Sequence, residues 1–76
     1  MEFNTDPREK PLLTNREREV FELLVQDNTT KEIAEQLFII EGTVRIHISN
    51  VMEKLGVKGR TQAIIKLVRL GELKIW

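Results

Sequence analysis

The chain has 76 residues, no cysteine, and 12 basic against 12 acidic side chains, which give a formal net charge of zero. This length allows one domain, and a chain without cysteine has neither disulfides nor thiolate metal ligands. No apolar run approaches the roughly 20 residues that cross a bilayer, and the polar N-terminus lacks the apolar stretch of a secretion signal. We therefore expect a cytoplasmic protein without a membrane partner, with a flexible tail over residues 1–11 and one domain over residues 12–76.

The charged side chains are unevenly distributed along the chain. Residues 1–41 carry ten acids and five bases, whereas residues 42–76 carry seven bases and two acids. A neutral chain argues against a nucleic-acid partner, but this asymmetry is typical of a protein with one face for an anionic ligand. A solvated surface with uneven charge is the alternative that the charges alone leave open.

The first helix is predicted to begin after Thr14. Glu17, three residues later, completes a capping box, in which each side chain binds the backbone amide of the other residue. Asp27 and Asn28 are predicted to end the helix. Its buried stripe follows from helical spacing and comprises Val20, Phe21, Leu23 and Leu24.

The second helix is predicted over residues 30–37. Thr29 and Glu32 form a second capping box at its start. The apolar residues 38–40 follow as a tight turn, in which Ile39 is expected to fill the angle between this helix and the next. The inner face of the helix comprises Ile33, Ala34 and Leu37.

The third helix is predicted over residues 41–55. Apolar residues recur along it at steps of four, three and four, which is the spacing of a single buried face. Gly56 is predicted to end the helix in the left-handed region, and Val57 to make the apolar contact of a Schellman motif. The buried face comprises Val44, Ile48, Val51 and Leu55.

The second and third helices together predict a helix-turn-helix, whose later helix enters the major groove of DNA. Arg45 is the strongest candidate for base contact, because a guanidinium can donate two hydrogen bonds to guanine O6 and N7. Ile46 can pack on a thymine methyl, and Gly42 lets the backbone approach DNA closely. The predicted base contacts are Gly42, Arg45, Ile46 and Ser49, and the predicted phosphate contacts are Thr43, His47, Lys54, Lys58 and Arg60.

His47 is the single histidine of the chain. A lone histidine beside a core stripe is more often a packed, hydrogen-bonded residue than a catalytic base, and no nucleophile stands at a spacing that indicates a triad. The sequence also has no phosphate-binding loop and no cluster of metal-ligating residues. We therefore expect no enzyme, no cofactor and no metal site.

The fourth helix is predicted over residues 60–70 and ends at Gly71. Its inner side comprises Ala63, Ile64, Leu67 and Leu70, while Thr61, Ile65 and Val68 lie on the opposite side. A small domain does not ordinarily expose two large aliphatic residues together, so we expect a homodimer that buries this second side. Packing against the first helix and scattered surface apolarity are the alternatives.

Several short motifs occur together between Leu12 and Leu73, and together they resemble the LuxR/FixJ class of helix-turn-helix domains. Each motif alone is weakly specific. The motifs are the Leu-Thr-x-Arg-Glu start of the first helix, Lys31-Glu32-Ile33-Ala34, Thr43-Val44-Arg45-x-His47, Lys54-Leu55-Gly56-Val57 and Arg60-x-Gln62-Ala63.

The resemblance implies an all-α, four-helix domain without a winged element, which dimerises through its last helix and activates or represses promoters. It places residues 42, 45, 46 and 49 in the groove, with Thr43 and His47 near the DNA backbone. Without a receiver or ligand-binding domain, the chain resembles a stand-alone member of the class that regulates late spore-coat genes. The implied partners are double-stranded DNA, a second copy of the chain and RNA polymerase.

Three residues depart from the usual pattern of the class. Ser or Thr usually occupies the position of Ile40 and caps the third helix, and the loss of such a cap costs about 1 kcal/mol. The position of Gly42 is often basic, and that of Ile46 is often polar. These departures predict an intact scaffold with altered base-contacting residues.

Two other functions stay open from the sequence. Region four of an alternative sigma factor has a similar EGTVR segment and Arg-Glu start, and would make the chain a polymerase subunit. The apolar Ile40 and Ile46 also fit a helix-turn-helix that binds protein and has lost DNA binding. A homodimer would argue against the first alternative, and strongly salt-dependent duplex binding would argue against the second.

Overall fold

A computed structural model describes residues 12–74, and within this range the chain forms four α-helices and no β-strand. The helices are α1 (Asn15–Leu24), α2 (Thr30–Leu37), α3 (Glu41–Leu55) and α4 (Arg60–Arg69). The predicted all-α, four-helix fold without a wing is thereby confirmed for these residues. The predicted tail, residues 1–11, and the last two residues of the predicted domain lie outside the described part of the chain.

The first two helices begin with the predicted capping boxes. Thr14 Oγ1 accepts from the Glu17 amide at 3.1 Å, and Glu17 Oε1 accepts from the Thr14 amide at 3.0 Å. The corresponding distances between Thr29 and Glu32 are 3.1 and 2.8 Å. These bonds satisfy amides that have no partner within their own helix.

α3 begins without a side-chain cap. Ile40 occupies its N-cap position in extended conformation, makes no side-chain cap bond and is exposed. We expect Ile40→Ser to raise the free energy of unfolding by about 1 kcal/mol, because a hydroxyl would accept a hydrogen bond from an amide of the first turn. Urea denaturation followed by circular dichroism measures this gain.

Thr29→Ala is the matched control for the cap of α3, because Thr29 is the N-cap of the neighbouring helix and makes both bonds of its capping box. It should lower the free energy of unfolding by about the same 1 kcal/mol. An Ile40→Ser chain no more stable than the wild type, beside a destabilised Thr29→Ala chain, would show that the start of α3 gains nothing from a cap.

The helices end in Schellman motifs, in which two amides beyond the helix donate to carbonyls of its last turn. In α3 and α4 the left-handed residue is the predicted glycine, Gly56 with φ 68° and Gly71 with φ 76°. After α1 and α2 it is Asp27 with φ 69° and Phe38 with φ 59°. A side chain in this conformation costs roughly 1 kcal/mol, so the turn before α3 holds strain that a glycine would relieve.

The end of α1 differs from its prediction. The helix ends at Leu24, and residues 25–27 form a tighter turn in which the Gln26 amide donates to the Leu23 carbonyl at 3.1 Å. The side chain of Asn28 also donates to the Leu23 carbonyl, at 2.8 Å. Asp27 and Asn28 therefore reverse the chain as expected, but after the α-helical geometry has already been lost.

α3 lies at the centre of the domain and packs against each of the other three helices. Its four predicted inner residues are buried, and the largest fully buried side chains include one from each helix: Phe21, Ile33, Ile48 and Leu67. Leu23, Leu24 and Leu37 are only partly buried against this core. Since a single core joins all four helices, the orientation of α3 is set by contacts along one of its sides.

Two residues at the end of α4 contradict their predicted sides. Leu70 was expected inside but is 54% exposed: its backbone is still helical, and the chain turns back directly after it at Gly71, so that Leu73 is buried instead. Val68 was expected on the outer side but is half-buried against the core. The outward side of α4 is therefore displaced from its predicted centre.

Candidate nucleic-acid interface

α2 and α3 form the predicted helix-turn-helix. Ile33 and Ala34 bury the inner face of α2, and Ile39 in the turn packs against the same core. The buried stripe of α3 runs along one side from Val44 to Leu55. The opposite side of α3 takes no part in the core and can therefore meet a ligand.

The outer face of α3 brings together the four residues predicted to contact bases. Helical spacing places them away from the buried stripe, and each of them is exposed: Gly42, Arg45, Ile46 and Ser49. Beyond its own neighbours in the helix, no heavy atom lies within 4 Å of the place where a Cβ on Gly42 would stand. The close backbone approach that was predicted at this glycine is sterically open.

Asn50 is an exposed residue of this surface that the sequence analysis did not select. It lies one helical turn after Ile46, and that spacing was the signal that would have indicated it. A carboxamide can form two hydrogen bonds with adenine N6 and N7. The outer face therefore offers a guanidinium, a hydroxyl and a carboxamide beside the apolar side chain of Ile46.

Arg45 is paired with an acidic neighbour. Its Nη2 donates to Oε2 of Glu41 at 2.8 Å, one turn earlier in α3. The same oxygen accepts a short hydrogen bond from Oγ1 of Thr30, the first residue of α2. The Arg45 side chain remains 59% exposed in this pair, so its guanidinium is accessible to a ligand.

The predicted phosphate contacts occupy different environments. Thr43 and His47 are half-buried on α3, whereas Lys58 and Arg60 are exposed, just before α4 and at its first residue. Exposed basic side chains with flexible stems suit phosphate contact, since they lose little hydration before they reach the anion. The part of the chain from 12 to 74 contains no group of three or more acidic, histidine or cysteine side chains that could hold a metal ion.

Lys54 is bound to the protein itself. Its Nζ donates to Glu17 Oε1 at 2.6 Å and to the Leu12 carbonyl at 3.2 Å. Glu17 is only 3% exposed. Burial raises the pKa of this carboxyl, but the hydrogen bonds from Lys54 and the Thr14 amide, together with the charge of Lys54, outweigh burial and hold the pKa below its usual value. The geometry gives Lys54 a structural role, and its contact with phosphate stays a prediction.

The surface of α4 carries part of the predicted dimer side. Thr61 is exposed and Ile65 is 49% exposed, while Val68 is half-buried. Ile65 and Leu70 line a shallow depression together with polar side chains of the same helix. None of the helices in the described range is long and apolar enough to cross a membrane.

Comparisons with known proteins agree with this arrangement. A family model described as bacterial regulatory proteins of the luxR family matches residues 11–67. The spore germination protein GerE of Bacillus subtilis (strain 168) is 74% identical over 66 residues, which are 87% of this chain and 89% of that protein. A solved structure of the transcription factor GerE superposes with a TM-score of 0.85 at 61% identity, and the match covers 88% of this chain and 100% of that chain.

Longer relatives match over the same region. The transcriptional regulatory protein LnrK of Bacillus subtilis (strain 168) is 52% identical over 65 residues, which are 86% of this chain. The transcriptional regulatory protein DesR of the same organism is 50% identical over 62 residues, or 82% of this chain. The matched regions are 30% and 31% of the lengths of these two proteins, so the similarity concerns less than a third of each.

Proposed function

The chain belongs to the LuxR family of bacterial regulatory proteins, and we propose that it binds a specific duplex DNA site as a homodimer, with α3 in the major groove. The resemblance inferred from the motifs is thereby confirmed. So is the expectation that the chain is not an enzyme, since this is a family of regulators. Its similarity to a spore germination protein supports the further proposal that it regulates transcription during sporulation, in the cytoplasm.

One observation carries the proposal of DNA binding. α3 buries its inner stripe completely, while its outer face is exposed over three turns and displays Arg45 and Ser49. A helix of this kind fits the width of a major groove. The exposed basic side chains of Lys58 and Arg60 supply positive charge beyond the end of α3.

Selection of bound duplexes from a random pool would test this proposal. We expect an enriched site with two half-sites spaced by about 10 base pairs or a multiple, since a symmetric dimer places both α3 helices on one side of the duplex. Binding should weaken steeply with salt, because lysine and arginine contacts release counterions from the phosphates. A chain that binds no duplex at low salt would instead be an interaction module.

The two alternatives receive different support. Membership in the LuxR family favours an autonomous regulator over region four of a sigma factor. The interaction module is favoured by three exposed apolar side chains: Phe38 (92%) and Ile40 (74%) in the turn before α3, and Ile46 (60%) on the outer face of α3. RNA polymerase is the protein partner that we propose for such a surface on a bound regulator.

The outward side of α4 supports the proposed homodimer. Ile65 and Leu70 are about half exposed and line the same depression, with Thr61 one turn before Ile65. Two such helices crossing about a two-fold axis would bury these aliphatic side chains against their copies. We therefore propose Thr61, Ile65 and the exposed part of Val68 as interface residues, together with Leu70.

Replacement of Ile65 by glutamate tests the dimer directly. A carboxylate buried near the two-fold axis would face its copy and repel it. We expect the dissociation constant of the dimer to rise at least about 30-fold, since central interface residues contribute roughly 2 kcal/mol or more. Sedimentation velocity over a range of protein concentrations measures this shift.

Phe38→Glu is the matched control for the dimer, because it places the same charge at another exposed apolar residue, outside α4. It should leave the oligomeric state unchanged. Equal dissociation of both variants, or an Ile65→Glu chain that dimerises as the wild type does, would remove α4 as the interface while leaving the proposal of DNA binding intact.

A further inference from the structure

The carboxylate of Glu41 connects the two helices of the helix-turn-helix with the arginine on its outer face. Its Oε2 accepts from Arg45 Nη2 at 2.8 Å within α3 and from Thr30 Oγ1 at the start of α2. The Glu41 side chain is 35% exposed, whereas that of Arg45 is 59% exposed. The pair is thus fixed on its inner side by a neighbouring helix and open on its outer side.

An arginine on an exposed helix has many rotamers, and ordering them on binding costs side-chain conformational entropy. One of the five N–H donors of Arg45 is directed at Glu41, and the planar group can offer others to a base. Because Thr30 holds the carboxylate, Glu41 can restrain the guanidinium before DNA arrives. Arg45 would then lose less conformational freedom when it binds.

An exposed ion pair within one helix contributes little to stability, so the pair alone would be a weak restraint. The bond from Thr30 makes this case different, since it reaches across from α2. On α1, Arg16 and Glu19 form a pair of the ordinary kind at 3.1 Å, with both side chains exposed. That pair provides an internal comparison.

The geometry points to Glu41 as a positioning residue for Arg45, with Thr30 as its anchor. The inference rests on the proposed function of Arg45 in base contact. Glu41 and Thr30 set the preference for a DNA site although neither need touch a base. The carboxylate also repels phosphates, which lowers the affinity for unrelated sequences and so raises discrimination a second time.

The test compares the affinity of the full chain for its selected duplex with its affinity for a scrambled duplex of equal length, by fluorescence anisotropy at fixed salt. Thr30→Val removes the anchoring hydroxyl at constant charge and similar shape. We expect the ratio of the two affinities to fall about threefold to tenfold, with little change on the scrambled duplex. Thr30→Ser keeps the hydroxyl and should keep the ratio of the two affinities at its wild-type value.

Glu41→Gln removes the charge, and its matched control is Glu19→Gln, which changes the net charge equally on α1. We expect Glu41→Gln to tighten binding to the scrambled duplex and to lower the ratio, while Glu19→Gln leaves the ratio unchanged. Thermal unfolding of each variant shows whether the domain is intact. In a chain that already carries Arg45→Ala, Thr30→Val should have no further effect on the ratio.

An unchanged affinity ratio in Thr30→Val and Glu41→Gln would overturn the positioning role. It would also be overturned if Thr30→Val lowered the ratio equally in the wild-type chain and in the Arg45→Ala chain. The wild type would still prefer its selected duplex in those cases, so the proposed function would stand. A wild-type chain that binds no duplex would overturn the proposed function, and this inference with it.

Discussion

Arg45→Ala is expected to weaken binding to the preferred duplex by about 1 to 3 kcal/mol, or roughly 5-fold to 150-fold. The guanidinium is exposed on the outer face of α3 and can make two hydrogen bonds to one guanine, which alanine cannot replace. If Arg45 contacts a base, the variant should lose its discrimination between bases at one position of each half-site and keep it at the others. Titration of the wild type and the variant against every single-base change in the site measures this.

Arg16→Ala is the control for Arg45, because it removes the same charge from a pair of similar geometry on α1. It should change neither the affinity nor the preference beyond a small effect of net charge. Lys58→Ala supplies a second comparison, since loss of a phosphate contact should weaken all duplexes equally and make the dependence on salt less steep. An Arg45→Ala chain that behaves like Lys58→Ala would assign Arg45 to the DNA backbone.

Local patterns allowed most of the fold to be predicted from the sequence. Each capping box joins residues three apart, and the buried stripe of α3 repeats at steps of three and four, so both depend on the geometry of a single helix. The left-handed Gly56 is likewise a local requirement. The outer face of α3 could be predicted from the buried stripe, because the opposite side of the helix is then exposed.

Contacts between helices were beyond such patterns. Lys54 was predicted to contact phosphate. Its ion pair with Glu17 could not be predicted, because the two residues are 37 positions apart in the sequence. Thr30 and Glu41 are 11 residues apart and meet only because the turn at Phe38 folds α2 against α3. A periodic pattern assigns a residue to a face, but its partner on another helix depends on how the helices cross.

The ends of the helices show the same limit on a smaller scale. Leu70 continues the apolar stripe of α4 in sequence, yet the helix stops one residue earlier and the chain turns at Gly71, so that Leu73 is buried while Leu70 is exposed. One turn residue therefore decides which leucine joins the core. As a result, the exposed aliphatic side chains on α4 are Ile65 and Leu70, whereas the sequence indicated Ile65 and Val68.

Lys54→Met should lower the free energy of unfolding at neutral pH by about 2 kcal/mol. Methionine keeps the apolar stem, but Glu17 is left as a buried carboxylate without its ammonium partner, and removal of one member of such a pair is costly. The figure is below that for a fully buried pair because Lys54 is 35% exposed. Urea denaturation at pH 7 measures the loss. The double variant Glu17→Gln/Lys54→Met should recover much of it, because glutamine still accepts from the Thr14 amide.

The dependence on pH distinguishes this ion pair from simple loss of packing. Since the pKa of Glu17 is lowered in the folded chain, its contribution to stability is present above the usual carboxyl pKa and is lost as the pH falls through the lower, folded value. In Lys54→Met burial remains while the ammonium is gone, so the pKa should rise and acid should destabilise this variant less. The gap between wild type and variant should therefore be widest near pH 7 and should narrow towards about pH 3. A gap of constant size over that range would mean that the loss in Lys54→Met does not depend on the charge of Glu17, which would contradict the ion pair as its cause.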